Sequence, residues 1–219
     1  GKASPSGCPV GGAVVAMKLG EILGVPVTIK GRQNAFNRCG GCESKSTFRY
    51  DYRGLKDCKA AMQLAGGGSK SCVYGCLGVG SCKVQCQFGA ITMVDEIAVI
   101  DPDKCTACGR CVKACPKKLI VMVPSINAVH VACNSKDPGR EVRKNCKVGC
   151  IACKLCEKAC EFNAINVKDN LASIDYAKCT QCGACVKKCP SKCIIVRPTR
   201  ESKALDIRTV ESKMGKDVR

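Results

Sequence analysis

Apolar positions along this chain fall into short runs separated by cysteines, glycines and charges. The longest run, residues 11–27, shows helical spacing: Val14, Val15, Leu19, Ile22 and Leu23 lie on roughly one face, which predicts an amphipathic helix. Lys18, Glu21 and several glycines interrupt the stretch, so it falls short of a membrane span. The other runs are strand-like. Residues 90–94 and 97–100, and again 164–167 and 171–174, are apolar segments joined by a turn and closed by Asp101 or Asp175, which predicts two hairpins. Residues 109–114 and 183–188 predict short helices.

The hairpins belong to an internal repeat. Cys72, Cys76, Cys82, Cys86, Cys105, Cys108, Cys111 and Cys115 recur 74 positions later as Cys146, Cys150, Cys156, Cys160, Cys179, Cys182, Cys185 and Cys189, and Pro124 and Pro198 end the copies in register. The expected units are 71–124 and 146–198, each with about two hairpins and two short helices. Residues 31–70 read as a polar, Gly-rich connecting segment and 125–145 as a linker. Residues 199–219 read as a charged tail, either an exposed helix or disordered.

Composition changes the account of what holds such units together. The chain has 23 Cys, no Trp, four Phe and four Tyr, so a conventional aromatic core is not expected. Disulfides fit poorly. The cysteine count is odd, no secretory signal opens the sequence, and many cysteines fall in C-x-x-C-x-x-C runs, so the thiols read as metal ligands in a reducing cytoplasm.

The runs C-T-A-C-G-R-C-V-K-A-C-P at 105–116 and C-T-Q-C-G-A-C-V-K-K-C-P at 179–190 match the bacterial ferredoxin pattern C-x2-C-x2-C-x3-C-P. Three cysteines of such a loop reach one 4Fe-4S cluster and the fourth reaches its neighbour, so the motifs work in pairs. This predicts an α+β fold of two tandem ferredoxin-like units, with long loops, little regular structure and four 4Fe-4S clusters. In the first unit one cluster falls to Cys86, Cys105, Cys108 and Cys111, the other to Cys72, Cys76, Cys82 and Cys115. In the second, Cys160, Cys179, Cys182 and Cys185 form one set and Cys150, Cys153, Cys156 and Cys189 the other. For the last set the repeat selects Cys146 and the loop pattern selects Cys153; Cys153 is favoured, leaving Cys146 spare.

Zinc explains cysteine pairs but not these quartets. Gln87 and Glu161 stand where the pattern after Cys86 and Cys160 would have proline, which points either to tuned hydrogen bonding or to drift at a tolerant turn. Cys193 reads as a small buried hydrophobe. Cys39 and Cys42, with Cys58 and Cys133, could make a further metal site, and His130 reads as structural.

The formal net charge of +18 raises the question of nucleic acid. Four clusters of about −2 each would leave about +10, so much of the excess answers to the cofactors. No dinucleotide fingerprint, P-loop or Ser/His/Asp set is present, and no catalytic residue is assigned.

The segments S-C-V-Y-G-C-L-G-V-G-S-C at 71–82 and G-L-K-D-C-K-A-A at 54–61, with the tandem motifs, resemble the B subunit of Rnf complexes of the clostridial type. C-P-V-G-G at 8–12 is similar to the end of that family's small N-terminal cluster domain. The resemblance implies that residues 1–30 close such a domain and that Cys8 is one ligand of a further cluster in a longer protein. It also implies acceptance of electrons from reduced ferredoxin and their delivery to other subunits of a membrane complex that reduces NAD and moves sodium ions or protons. The fragment would be peripheral, on the cytoplasmic side, joined to the membrane through an upstream segment or its partners. Lys113, Lys117, Lys118, Lys187, Lys188 and Lys192 beside the cluster loops would steer an acidic ferredoxin. The competing readings are a four-cluster wire subunit of a molybdenum enzyme and a zinc-stapled basic protein that binds nucleic acid.

Overall fold

The computed structural model describes residues 3–8, 10–28 and 31–199; the expected tail beyond Thr199 lies outside them. Short elements alternate with long loops: α1 (Gly12–Leu23), β1 (Gln33–Asn37), α2 (Cys58–Gln63), α3 (Ser81–Val84), β2 (Ile91–Val94), β3 (Ile97–Ile100), α4 (Arg110–Ala114), β4 (Ile120–Pro124), β5 (Val129–Val131), α5 (Gly139–Asn145), α6 (Leu155–Lys158), β6 (Ile165–Lys168), β7 (Leu171–Ile174), α7 (Ala184–Lys188) and β8 (Ile194–Val196).

The hairpins form where the apolar runs place them, β2 against β3 and β6 against β7. Their two-residue turns have positive φ at both central positions, Asp95 (46°) and Glu96 (57°), then Asp169 (49°) and Asn170 (60°). That is the type I′ geometry whose twist matches the paired strands.

The second strand pair of each unit is not a local hairpin. β1 pairs with β4 and β5 with β8, so each unit is closed by strands from its opposite ends. β1 comes from the segment read as a connector, and β5 from the segment read as a linker. Sequence patterning misses both pairings because their strands are short and their partners are far along the chain.

Helix α1 forms at the predicted place and stops at Gly24, which adopts the left-handed conformation (φ 64°, ψ 27°) and donates to the carbonyls of Glu21 and Gly20. Its apolar face is not packed away. Val14 is 62% exposed and Ile22 78%, while only Ala16 and Gly20 are buried on the helix. No helix among the described residues is long and apolar enough to cross a membrane.

The two units meet at an aromatic junction. The Phe36 ring of β1 stacks on His130 of β5 with centroids 4.4 Å apart, and Tyr176 meets His130 edge-on. Arg197 lies over Phe36 and donates to the Ala35 carbonyl at 2.9 Å. His130 is fully buried, with Nδ1 2.8 Å from the Tyr176 hydroxyl, in keeping with its structural reading.

Burial, and then the Arg197 charge, push the His130 pKa down from 6.5 to about 4. Between those values the unfolded chain binds a proton that the folded one excludes, so this contribution is complete above about pH 6.5 and is lost as pH falls toward 4. The thermal midpoint of anaerobically handled protein is expected to drop between about pH 7 and about pH 5. His130→Gln, which cannot titrate, should flatten that slope; an equal drop in both proteins would contradict the assignment.

Candidate iron–sulfur centres

Four loops of one shape supply most of the cysteines. In each, the residue two after the first cysteine has positive φ: Gly78 (77°), Ala107 (60°), Ala152 (55°) and Gln181 (62°). So does the residue four after it: Gly80 (93°), Gly109 (75°), Lys154 (59°) and Gly183 (73°). Repeated left-handed steps curl the backbone so that amides and side chains converge on one side, a concavity suited to an anion. A short helix follows each loop and carries the cysteine six residues after the first as its second residue, Cys82, Cys111, Cys156 or Cys185, all buried.

These loops enclose cavities. Cys86, Cys105, Cys108 and Cys111 line one, with Ala90, Ile91 and Ile100 beside them, and Cys160, Cys179, Cys182 and Cys185 line its counterpart with Ala164, Ile165 and Ile174. Both gather the cysteines expected from the motif. Cys150, Cys153, Cys156 and Cys189 are also neighbours, since the Cys156 thiol is acted on electrostatically by the other three.

The remaining cavity of the first unit departs from the sequence-based quartet. It is lined by Cys58, Cys76, Cys82 and Cys115; Cys72 faces a different cavity, with Cys39, Cys133 and Cys146. The reason is local. Val79 stands where the second unit has Cys153, so the loop offers one thiol fewer, and Cys58 at the start of α2 fills the place. Asp57 caps that helix by accepting from the Ala60 amide at 3.0 Å and from the Ser81 hydroxyl at 3.0 Å, while the Cys58 amide donates to Ser81 Oγ at 2.7 Å. These bonds tie α2 to the helix that carries Cys82. The lone cysteine in G-L-K-D-C-K-A-A, set against the gap at Val79, is the signal that identifies Cys58.

The four thiols expected to share a further site are therefore split, with Cys58 in one cavity and Cys39 and Cys133 in another. Cys42 lies 3.4 Å from the Ser44 hydroxyl, which bonds Asp95. Cys8 is exposed and accepts from the Gly11 amide at 3.4 Å. Cys193 is buried as read, but its Sγ is 3.6 Å from Cys189 Sγ, so it also touches a motif cysteine.

The donor set fits 4Fe-4S clusters. Backbone amides donate to sulfur at 3.3–3.4 Å, from Ala35 to Cys105, Leu119 to Cys115 and Ala164 to Cys160, and Gln181 Nε2 reaches Cys179 at 3.1 Å. Such donors stabilise thiolate charge in a dry cavity. Burial, and then the neighbouring cysteines' charge, act the other way, holding the Cys82 thiol up to about 12 and those of Cys111 and Cys156 up to about 11, so a metal taking these sulfurs displaces protons. Cys150 and Cys189 go down, to about 6 and about 5, chiefly through hydrogen bonding with Cys193, whose own thiol is pushed far up.

Comparison with known proteins agrees with this chemistry. The 4Fe-4S binding domain family matches residues 98–121 and the 4Fe-4S dicluster domain family residues 149–193. The chain is 47% identical to the B subunit of the Na(+)-translocating ferredoxin:NAD(+) oxidoreductase complex of Acetobacterium woodii, over 89% of this chain and 58% of that protein. It is 46% identical to the B subunit of the ion-translocating oxidoreductase complex of Methanosarcina acetivorans, over 87% of this chain and 72% of that protein. The chain belongs to this B-subunit family, that of the Rnf complexes. A third member, from the proton-translocating ferredoxin:NAD(+) oxidoreductase complex of Clostridium ljungdahlii, is 43% identical over 87% of this chain and 68% of its own length. Membership and the two domain matches make this an iron–sulfur protein with 4Fe-4S ferredoxin-type domains.

Proposed function

We propose that this chain is the electron-relay part of an Rnf B subunit, taking electrons from reduced ferredoxin and passing them to partner subunits of a membrane-bound, ion-translocating complex that reduces NAD. The observation that carries this reading is the crossing of ligands between neighbouring sites within each unit, the arrangement that sets two carriers side by side. Cys86, Cys105, Cys108 and Cys111 would hold one 4Fe-4S cluster, and Cys58, Cys76, Cys82 and Cys115 the second. Cys160, Cys179, Cys182 and Cys185 would hold a third, and Cys150, Cys153, Cys156 and Cys189 a fourth. Bound 4Fe-4S clusters supply one-electron redox chemistry. The protein's part is to supply thiolates, donate hydrogen bonds to them, exclude water and present a docking surface; it makes and breaks no substrate bond.

Exposure is uneven among the ligands. Cys153 and Cys182 are exposed, so the second unit brings two of its sites to the surface. Lys178, Lys187, Lys188 and Lys192, all exposed, lie close to Cys182 along the chain, and Lys113 and Lys118 are exposed in the first unit. Lys117 differs: it is half-buried and donates to the Val73 carbonyl, which leaves it less to offer a partner. The exposed lysines would attract an acidic ferredoxin at the cytoplasmic face of the membrane, where partner subunits would hold the chain.

In anaerobic stopped-flow, reduced ferredoxin is expected to reduce the protein with a rate that falls as ionic strength rises. Changing Lys113, Lys187, Lys188 and Lys192 together to Gln should slow it about tenfold at low salt, with the two rates converging at high salt. Protein that dithionite reduces but ferredoxin does not would overturn the donor assignment.

A further inference from the structure

The cavity that receives Cys72 lies where the two units meet, and each unit contributes to it equally. Cys39, Cys72, Cys133 and Cys146 all line it. Cys72 and Cys146 are repeat partners 74 positions apart. Cys39 and Cys133 are partners in structure, each two residues beyond the closing strand of its unit, β1 or β5. The intervening residues match too: the Arg38 amide donates to Leu119 O at 2.9 Å and the Ala132 amide to Cys193 O at 2.8 Å, acceptors that again lie 74 positions apart.

The sulfurs are served as symmetrically as they are placed. The Cys76 amide donates to Cys39 Sγ at 3.4 Å, and its repeat partner, the Cys150 amide, donates to Cys133 Sγ at 3.3 Å. Backbone bonds between the units hold the cavity closed: Gly40 N–H to Ala132 O at 2.8 Å, Thr47 N–H to Asn145 O at 3.0 Å and Lys147 N–H to Lys45 O at 2.9 Å. A side chain at Gly41 would come within 2.9 Å of Ser46 Oγ and 3.1 Å of Cys146 Sγ, so glycine keeps that wall thin.

A second observation concerns charge. Lys70 also lines this cavity and is only 3% exposed. Its ammonium donates to the carbonyls of Gly41 at 2.9 Å and Glu96 at 3.2 Å, yet among the described residues it forms no salt bridge with a carboxylate. A buried cation needs compensating negative charge. A cluster of about −2 net charge in this cavity would supply it.

We propose that Cys39, Cys72, Cys133 and Cys146 hold a fifth 4Fe-4S cluster that joins the two ferredoxin units. This rests on the reading of the other quartets as 4Fe-4S sites. On binding, iron takes the four sulfurs as thiolates and their protons leave to solvent. Twenty of the 23 cysteines are then ligands of these five clusters, and Cys8, Cys42 and Cys193 lie outside the five sets.

The test is iron and acid-labile sulfide per chain after anaerobic reconstitution, with zinc measured in the same sample. The expected wild-type value is about twenty irons, and the Cys39→Ala/Cys133→Ala variant should fall by about four while keeping the rest. Cys72→Ala/Cys146→Ala, which removes the other half of the set, should give the same loss. About sixteen irons in the wild type, with or without one zinc, overturns the fifth cluster and leaves the four others standing. A variant with undiminished iron also overturns it, whereas wild-type iron near zero overturns the cluster reading as a whole. If both variants fail to fold, the wild-type count alone decides.

Discussion

Stripping iron and sulfide from the protein is expected to unfold it. The described sheets are all two-stranded, and a two-stranded pair by itself is marginal in water. The larger hydrophobic clusters are built largely around the cysteines themselves: Cys133, Cys150, Cys156, Cys185 and Cys193 in one, Cys82, Cys105 and Cys111 in another. No disulfide takes their place, since all the cysteines are free. The ligand loops also hold Ala107, Ala152, Lys154 and Gln181 at positive φ, at roughly 1–2 kcal/mol for each residue with a side chain. Metal binding must offset that strain and supply much of the folding free energy. Treating the anaerobic protein with a chelator and a mild oxidant should therefore abolish the cooperative thermal transition and most of the far-ultraviolet dichroism. A stripped protein with a native spectrum and a sharp transition would show that the polypeptide packs without its cofactors.

Cys58→Ala is expected to remove one cluster, about four irons per chain, by taking away the thiol that this cavity draws from outside the repeat. The sharper form of the prediction is the rescue. Gly78 (φ 77°) and Gly80 (φ 93°) give the Val79 loop the same left-handed steps that flank Cys153, so the loop is already shaped to present a thiol at position 79. Val79 also packs against the small cluster that contains Cys58. Adding Val79→Cys to Cys58→Ala should restore the lost iron, whereas Cys72→Ala should leave this cavity intact. Full iron in Cys58→Ala alone, or no recovery in the double variant, would reject Cys58 as a ligand.

What could be read from the sequence was whatever is local. The hairpins, the short helices after each loop, and the quartets built on C-x2-C-x2-C-x3-C-P depend on residues close together or on a strict repeat, so spacing carries them. The strand pairs β1–β4 and β5–β8 depend on closure across a whole unit, and no short window contains that information. Cys58 was obscured for the same reason: it lines a cavity of the first unit but lies ahead of the first repeated cysteine, where the repeat gives no partner for it. Cys39 and Cys42 show the opposite failure. Their C-x-x-C spacing suggests a pair, but the chain through Gly40 and Gly41 takes Cys42 to Ser44 and leaves Cys39 in a different cavity. The amphipathic period of α1 was legible too, though periodicity alone did not reveal that its apolar face would remain open.

The amides of Cys76 and Cys150 gain a second meaning from their position. Each belongs to a residue whose sulfur would serve a site inside one unit, and each donates to a sulfur, Cys39 or Cys133, at the junction. A tunnelling electron decays far less steeply along covalent and hydrogen bonds than across empty space. With clusters in these sites, the same contacts that stabilise negative charge on sulfur would lay down two matched conduits, entering the junction from either side, and the coupling between the halves would be fixed by backbone geometry and not by mobile side chains.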